Sequence, residues 1–142
     1  MREIVLAADG VCAGKARDFA ATCLKQAGIH GEDSYDILLA LNEAVANSCR
    51  HAGGSGDVTV TISCETIAGQ FILQVVDNGR GFRFTPDMYE MPEPLSQGGR
   101  GFFLMNELMD SVDVSSGPSG TKVTLKRKLH DSERAESNGA SV

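Results

Sequence analysis

Glu43 and Asn47 stand four residues apart in a stretch whose apolar residues recur at helical spacing, so one helix face presents a carboxylate beside a carboxamide. The amide oxygen is a hard ligand of the kind Mg²⁺ takes. The carboxylate can accept a proton from an attacking hydroxyl, or orient it. A solvated helix face presents the same pair, since on a helical wheel it lies opposite Ile37, Leu41 and Val45. Asp77-Asn78-Gly79-Arg80-Gly81 directly follows an apolar strand. An ionised Asp77 only accepts hydrogen bonds, which suits an exocyclic amine such as that of adenine, and Gly81 has no Cβ to hold a flat ring off the backbone. These residues also spell a tight turn. Gly98-Gly99-Arg100-Gly101 leads into Phe102-Phe103-Leu104-Met105. A glycine-rich helix entry exposes backbone N–H groups, and the helix dipole adds positive potential, which together suit phosphates. The alternative is a loop that merely precedes a helix. Gly120-Thr121 opens the last strand with a hydroxyl within reach of Asp77 or of a base.

Each signal is weak alone, and the order in which they occur carries the inference. A metal and hydroxyl site, an adenine acceptor, a phosphate cradle and a second adenine contact make one nucleotide site, expected to take ATP with Mg²⁺. The glycine run is no Walker loop, because no Gly-Lys-Ser/Thr follows it. It is no dinucleotide fingerprint either, because loop rather than strand precedes it.

The elements that must hold these residues can be read from the pattern. Arg2 to Ala8 reads as a strand, Val11 to Ala27 as an amphipathic helix, and Tyr35 to His51 as a second helix with Asp33 or Ser34 as its cap. Val58, Val60, Ile62 and Cys64 alternate with Thr59, Thr61 and Ser63, a half-buried strand, and Ala68-Gly69 turns the chain into a second strand, Phe71 to Val76. Asp77 to Gln97 reads as irregular loop, Gly101 to about Met109 as a helix, and Val112–Ser115 with Thr121–Lys128 as a closing hairpin. Residues 129–142 read as a disordered polar tail after a domain over residues 1–128. The order β-α-α-β-β-loop-α-β-β implies an α+β fold, a two-layer sandwich with helices on one face of a mixed, mainly antiparallel sheet.

Bulk composition narrows the function. With 142 residues, 42% of them hydrophobic, the chain suits one self-sufficient core. A net charge of −6 argues against direct nucleic-acid binding, which needs a basic face. No run approaches the ~20 apolar residues of a membrane span, and the early charges at Arg2 and Glu3 do not suit a secretory signal, so a cytoplasmic location is expected. Cys12, Cys23, Cys49 and Cys64 form no C-x-x-C pair, and each falls on an apolar face, the pattern of buried free thiols in a reducing compartment.

Taken together, these motifs resemble the GHKL ATPases, the superfamily of gyrase, Hsp90, histidine kinases and MutL. Glu43-Ala44-Val45-Ala46-Asn47 with His51-Ala52 is similar to their N box, Asp77-x-Gly79-x-Gly81 to the first G box, Gly98 to Met105 to the second, and Gly120-Thr121 to the third. The resemblance spans about Ile4 to Lys128 and implies the Bergerat-type ATP-binding fold. Within the superfamily the chain is most similar to the small bacterial anti-sigma-factor serine/threonine kinases: it is one bare domain, its N box ends in Arg50-His51-Ala52, and its short lid carries the acidic, proline-bearing run Pro86 to Pro94.

That likeness implies roles by position. Glu43 would act as general base and Asn47 as Mg²⁺ ligand. Asp77, with Gly79, Gly81 and Thr121, would hold adenine. Gly98, Gly99, Arg100, Gly101 and Phe102 would cradle phosphates. His51 either lines the site or satisfies the last carbonyls of its helix. Arg80 and Arg100 each suit phosphate neutralisation or a protein contact, with Arg100 preferred for the nucleotide. Phe82, Phe84, Met88 and Met91 suit covering the nucleotide or meeting a partner. The implied partners are a small anti-sigma-factor antagonist protein as substrate, an RNA polymerase sigma factor, and a second copy in a homodimer through the sheet edge or a nearby helix. Two functions follow from this reading: a Mg-ATP-dependent protein serine/threonine kinase that also sequesters a sigma factor, or a nucleotide-gated binding module with little or no phosphotransfer.

Overall fold

The computed structural model describes residues 1–50, 57–81, 85–90 and 100–129, the side chain of Arg100 excepted. Its elements run β1 (Arg2–Ala7), α1 (Cys12–Gln26), α2 (Gly31–Arg50), β2 (Thr59–Ile67), β3 (Gln70–Asp77), a short 3₁₀ turn (Pro86–Tyr89), α3 (Arg100–Leu108), β4 (Ser111–Gly117) and β5 (Gly120–Lys128).

The five strands form one sheet in the order β1-β2-β3-β5-β4. Every neighbouring pair is antiparallel, where the sequence allowed a mixed sheet. Consecutive strands β2 and β3 join through Ala68-Gly69, both with positive φ, the backbone of a tight hairpin turn. Val60, Ile62, Phe71, Leu73, Val75, Val123 and Leu125 line one sheet face and are buried against the helices. The helices meet them with Ala16, Ala20 and Leu24 of α1, Ile37, Leu41, Ala44 and Val45 of α2, and Met105 of α3. The opposite sheet face carries Thr61, Gln74, Thr124 and Lys126, as expected of an alternating strand with one solvated side.

Among the boundaries that differ from those read in the sequence, two carry contacts that local spacing does not show. Helix α2 begins at Gly31, so Asp33 lies inside its first turn rather than at its cap. There its carboxylate, 0% exposed, is gripped from across the sheet: Arg127 on β5 places Nη2 2.8 Å and Nε 3.0 Å from Asp33 Oδ1. Arg127 Nη1 also reaches Asp36 Oδ2 at 2.8 Å and donates to the Leu108 carbonyl at the end of α3. One guanidinium therefore ties β5 to the start of α2 and the end of α3. Leu129, taken in the sequence as the first residue of the tail, packs partly buried against the core and donates its N–H to Gly69 O at 2.9 Å. Residues 130–142 lie outside the described residues.

Within the expected irregular loop, Pro86–Tyr89 forms a single 3₁₀ turn, with Pro86 at its first position where no amide donor is needed. Tyr89 fixes that turn to the body. Its hydroxyl donates to Val112 O at 2.7 Å, and its ring meets Phe102 edge-on, centroids 6.5 Å apart.

Candidate functional site

The site is built where the core turns polar. On the helix-facing side of the sheet the apolar rows end in Asp77 on β3 and Thr121 on β5, which are cross-strand partners, 4% and 3% exposed. Thr121 is in turn opposite Ser116 on β4, and the two hydroxyls share a hydrogen bond of 2.6 Å. A carboxylate and two hydroxyls thus form one row across three strands.

Asp77 is held but not saturated. Its Oδ1 accepts the Gly79 N–H at 3.0 Å, which closes the turn after β3. Its Oδ2 is buried and has no hydrogen-bond partner among the described residues. A buried acceptor without a donor costs on the order of 1–3 kcal/mol, so a native structure that keeps one asks for a ligand donor. The exocyclic amine of adenine supplies such an N–H. The following residue, Asn78, is bound elsewhere: its Oδ1 accepts the Thr59 N–H at 2.7 Å, extending the β2–β3 ladder by one position.

Glycines fix the backbone around Asp77, for a reason beyond the one expected. Gly81 has φ +72°, and a Cβ there would sit 2.1 Å from the Gly117 carbonyl oxygen. The space on its Cβ side is filled by the β4–β5 turn, so glycine is required there for backbone packing whatever else lies against it. Gly120 has φ +138°, and a Cβ there would sit 2.0 Å from Asp77 O. The first glycine motif and the Gly120-Thr121 pair are therefore locked together backbone to backbone, with Asp77 between them.

The second helix delivers Glu43 and Asn47 to the same end of the sheet. Asp33 at its start is tied to Arg127, whose cross-strand partner on β3 is Phe71. Asn47 lies fourteen residues further along α2, about 21 Å at the helical rise. Asp77 lies six residues beyond Phe71, about 20 Å at the strand rise. Helix α2 packs along both β3 and β5, and the two spans are of similar length. Asn47 is 6% exposed and already engaged in polar contacts, so it belongs to a held, inward-facing set rather than to a solvated helix face.

The third helix closes the group. A Cβ at Gly101 would sit 3.3 Å from Glu43 Oε2 and 3.9 Å from Glu43 Cβ. The half-buried carboxylate thus lies against the first turn of α3, whose leading N–H groups have no partners within the helix. Any side chain at Gly101 would press on Glu43 and require its carboxylate to shift. A carboxylate at a helix N-terminus is favoured by the dipole, and an anionic phosphate would be favoured there for the same reason.

Of the residues singled out by sequence, the fold gathers Asp77, Gly79, Gly81 and Thr121 into one strand-end group, and Glu43 with Gly101 into a second contact. Phe102 serves the core with its side chain. Its side chain is 5% exposed, within the core and against Tyr89, so only its backbone remains to face a phosphate. Met88 likewise packs on the core, while Arg80 is exposed. His51, Gly98, Gly99, Phe82, Phe84 and Met91 lie outside the described residues, as does the Arg100 side chain, although Arg100 opens α3. Ser116, Gly117 and Asn78 escaped the sequence reading. The Ser-Ser-Gly-Pro-Ser-Gly hairpin was a visible signal, but nothing local shows which strand it packs against.

A model of the histidine kinase-like ATPase domain matches residues 6–127. The chain belongs to that family. Among curated relatives, an anti-sigma F factor of Clostridium novyi is 33% identical over 125 residues, covering 83% of this chain and 87% of its own length. The serine-protein kinase RsbW of Listeria monocytogenes is 29% identical over 126 residues, 82% of this chain and 79% of the relative. Among solved structures, the RsbU and RsbW domains of Rv1364c from Mycobacterium tuberculosis superpose with a TM-score of 0.64 at 21% identity, over 91% of this chain and 33% of that one. The histidine kinase domain of a blue-light activated kinase from Erythrobacter litoralis gives 0.59 at 19% identity, over 88% and 64%. These structural likenesses bear on the fold, and they agree with the α+β, GHKL-type architecture described above. Among the described residues no helix is long and apolar enough to cross a membrane.

Proposed function

We propose that this histidine kinase-like ATPase domain is a Mg-ATP-dependent protein serine/threonine kinase that acts as an anti-sigma factor in the cytoplasm. It phosphorylates a small anti-sigma-factor antagonist and sequesters an RNA polymerase sigma factor. The observation that carries the nucleotide reading is the buried, unpartnered Oδ2 of Asp77. The names of relatives at about this length, anti-sigma F factor and serine-protein kinase RsbW, support the rest.

Residue roles follow from position. Asp77 accepts the adenine amine at Oδ2, and Thr121 holds the row beside it. The first turn of α3, from Arg100 and Gly101, offers N–H groups to the phosphates, with Gly98, Gly99 and the Arg100 side chain as further candidates. Asn47 holds Mg²⁺, whose charge offsets that of the phosphates. Glu43, next to Gly101, takes the proton from the incoming serine or threonine hydroxyl. His51 is a further candidate for the pocket wall. The domain proper covers residues 1–128 with Leu129 packed on its core, and the likeness to anti-sigma-factor kinases suggests a homodimer.

The test is transfer of labelled phosphate from Mg-ATP to candidate antagonist proteins, with Glu43→Gln in parallel. Transfer should fall by about 10²–10⁴-fold in the variant while ATP binding persists. Undiminished transfer would remove Glu43 from its role. Asn47→Ala should lose most of the Mg²⁺ dependence of binding, and an unchanged dependence would refute the ligand assignment.

A further inference from the structure

Thr121 has a polar neighbour on each side. Strand β5 lies between β3 and β4 in the sheet, so Asp77 is opposite Thr121 on one flank and Ser116 is opposite it on the other. Directly opposite residues of an antiparallel pair have Cβ atoms about 4.5–5.5 Å apart, so the Thr121 hydroxyl oxygen can turn to either flank but not to both. It is turned to Ser116, with 2.6 Å between the two oxygens. Asp77 Oδ2, buried on the other flank, has no hydrogen-bond partner among the described residues. A buried hydroxyl and a buried acceptor on adjacent strands could satisfy each other, and here they do not. Threonine holds its hydroxyl in staggered positions about 120° apart, so one rotation of χ1 separates the observed bond from one aimed at β3.

We infer that Ser116 is a positioning residue for adenine selection: it draws the Thr121 hydroxyl toward β4 and so keeps Asp77 Oδ2 open to the amine of the base. The inference rests on the nucleotide reading above and deepens it. Ser116 acts through Thr121, not on the nucleotide. Its own place is fixed by the backbone around it. Gly117, the next residue, has its carbonyl oxygen 2.1 Å from where a Cβ on Gly81 would lie. Gly120, next to Thr121, is pressed against the Asp77 carbonyl in the same manner. Ser116 is half-buried and is held by a further interaction besides its bond to Thr121.

The consequence follows from what happens without the Ser116 hydroxyl. Thr121 is 3% exposed, so its own hydroxyl then has neither bulk water nor a partner on β4. The bare Asp77 oxygen is the acceptor on its other flank. Buried polar groups are costly when left unmade, so the two pair. An amine arriving at Asp77 then meets an acceptor that is already satisfied, and its hydrogen bond adds less. The site loses its preference for a base that carries the amine, while the sheet and its backbone locks stay as they are.

The experiment compares calorimetric affinities for ATP and for purine riboside triphosphate, the same nucleotide without the amine, both with Mg²⁺. The full chain, Ser116→Ala, and Ser116→Ala combined with Thr121→Val are measured side by side. The preference of the full chain for ATP should shrink about three- to tenfold in Ser116→Ala. Adding Thr121→Val should restore that preference, because no hydroxyl is left to fill Asp77 Oδ2. A crystal structure of nucleotide-free Ser116→Ala should show Thr121 Oγ1 at hydrogen-bond distance from Asp77 Oδ2. An equal loss for both nucleotides, a preference still reduced in the double variant, or a Thr121 hydroxyl that has not turned would each overturn the proposal. A preference kept in full by Ser116→Ala would remove Ser116 alone from the site. A parent with no preference for ATP would instead strike the adenine reading of Asp77 and, with it, this role.

Discussion

Two aspartates are buried on the same face of the sheet, near opposite ends, and they are treated in opposite ways. Asp33 is 0% exposed and receives two N–H groups from Arg127, which also engages Asp36 and a helix-end carbonyl. Asp77 is 4% exposed and has one oxygen on a backbone N–H, while its other oxygen is bare. The first arrangement spends its polar capacity on holding elements together. The second leaves an acceptor free among the described residues. A buried carboxylate is therefore informative only with its partners counted, and the less satisfied one is the residue proposed to meet the ligand.

The largest expected effect lies at the paired end. Arg127→Met leaves Asp33 buried without its partner, which should cost about 3–5 kcal/mol in urea unfolding. Adding Asp33→Leu should recover much of that loss, since removing both charges is far less costly than removing one. A single variant within about 1 kcal/mol of the parent would show that the clamp contributes little.

Next in size is Gly81→Ala, which tests whether the site end is held by backbone packing. Positive φ with a Cβ 2.1 Å from Gly117 O should destabilise by roughly 1–3 kcal/mol or more. A melting temperature equal to the parent's would mean that the β4–β5 turn moves aside freely.

Asp77→Asn sharpens the contrast most directly. Stability should hold within about 1 kcal/mol, because no ion pair is broken. ATP affinity should fall about tenfold or more, because the amide can present a donor where an acceptor is required. Unchanged calorimetric affinity for ATP over GTP would erase the distinction between the two aspartates.

The smallest effect is expected for Thr121→Val, which removes the hydroxyl bonded to Ser116. A loss of about 1 kcal/mol in stability is expected, with a similar loss in ATP binding if the row acts as a unit. A calorimetric loss confined to stability would leave Thr121 as scaffold only.

Periodicity made most of the fold legible. The alternation Val58-Val60-Ile62-Cys64 and the stripe Ile37-Leu41-Val45 carry their burial in their spacing, and both are buried or nearly so as read. The start of α2 was missed because Asp33 resembles a cap, whereas its partner is 94 residues away. Local spacing holds no record of a contact that distant. The same limit applies to Gly81, legible as a required glycine but not as one required by Gly117, and to Phe102, legible as a site neighbour but not as a core ring under Tyr89. Glu43 and Asn47 were read from their spacing, but on the wheel they resembled a wet surface, because the contact that covers Glu43 comes from α3.

Strands β3 and β5 are bonded along their length, yet the chain leaves the first at Asp77 and re-enters the second at Thr121, directly opposite. Everything between is a detour that begins and ends at one rung of the ladder. Chain spliced in or cut out between Gly81 and Arg100 leaves that rung untouched, and doubling such a detour costs only about 0.6 kcal/mol of closure entropy. The architecture thus separates the rung, fixed by the sheet, from the chain that departs from it and returns.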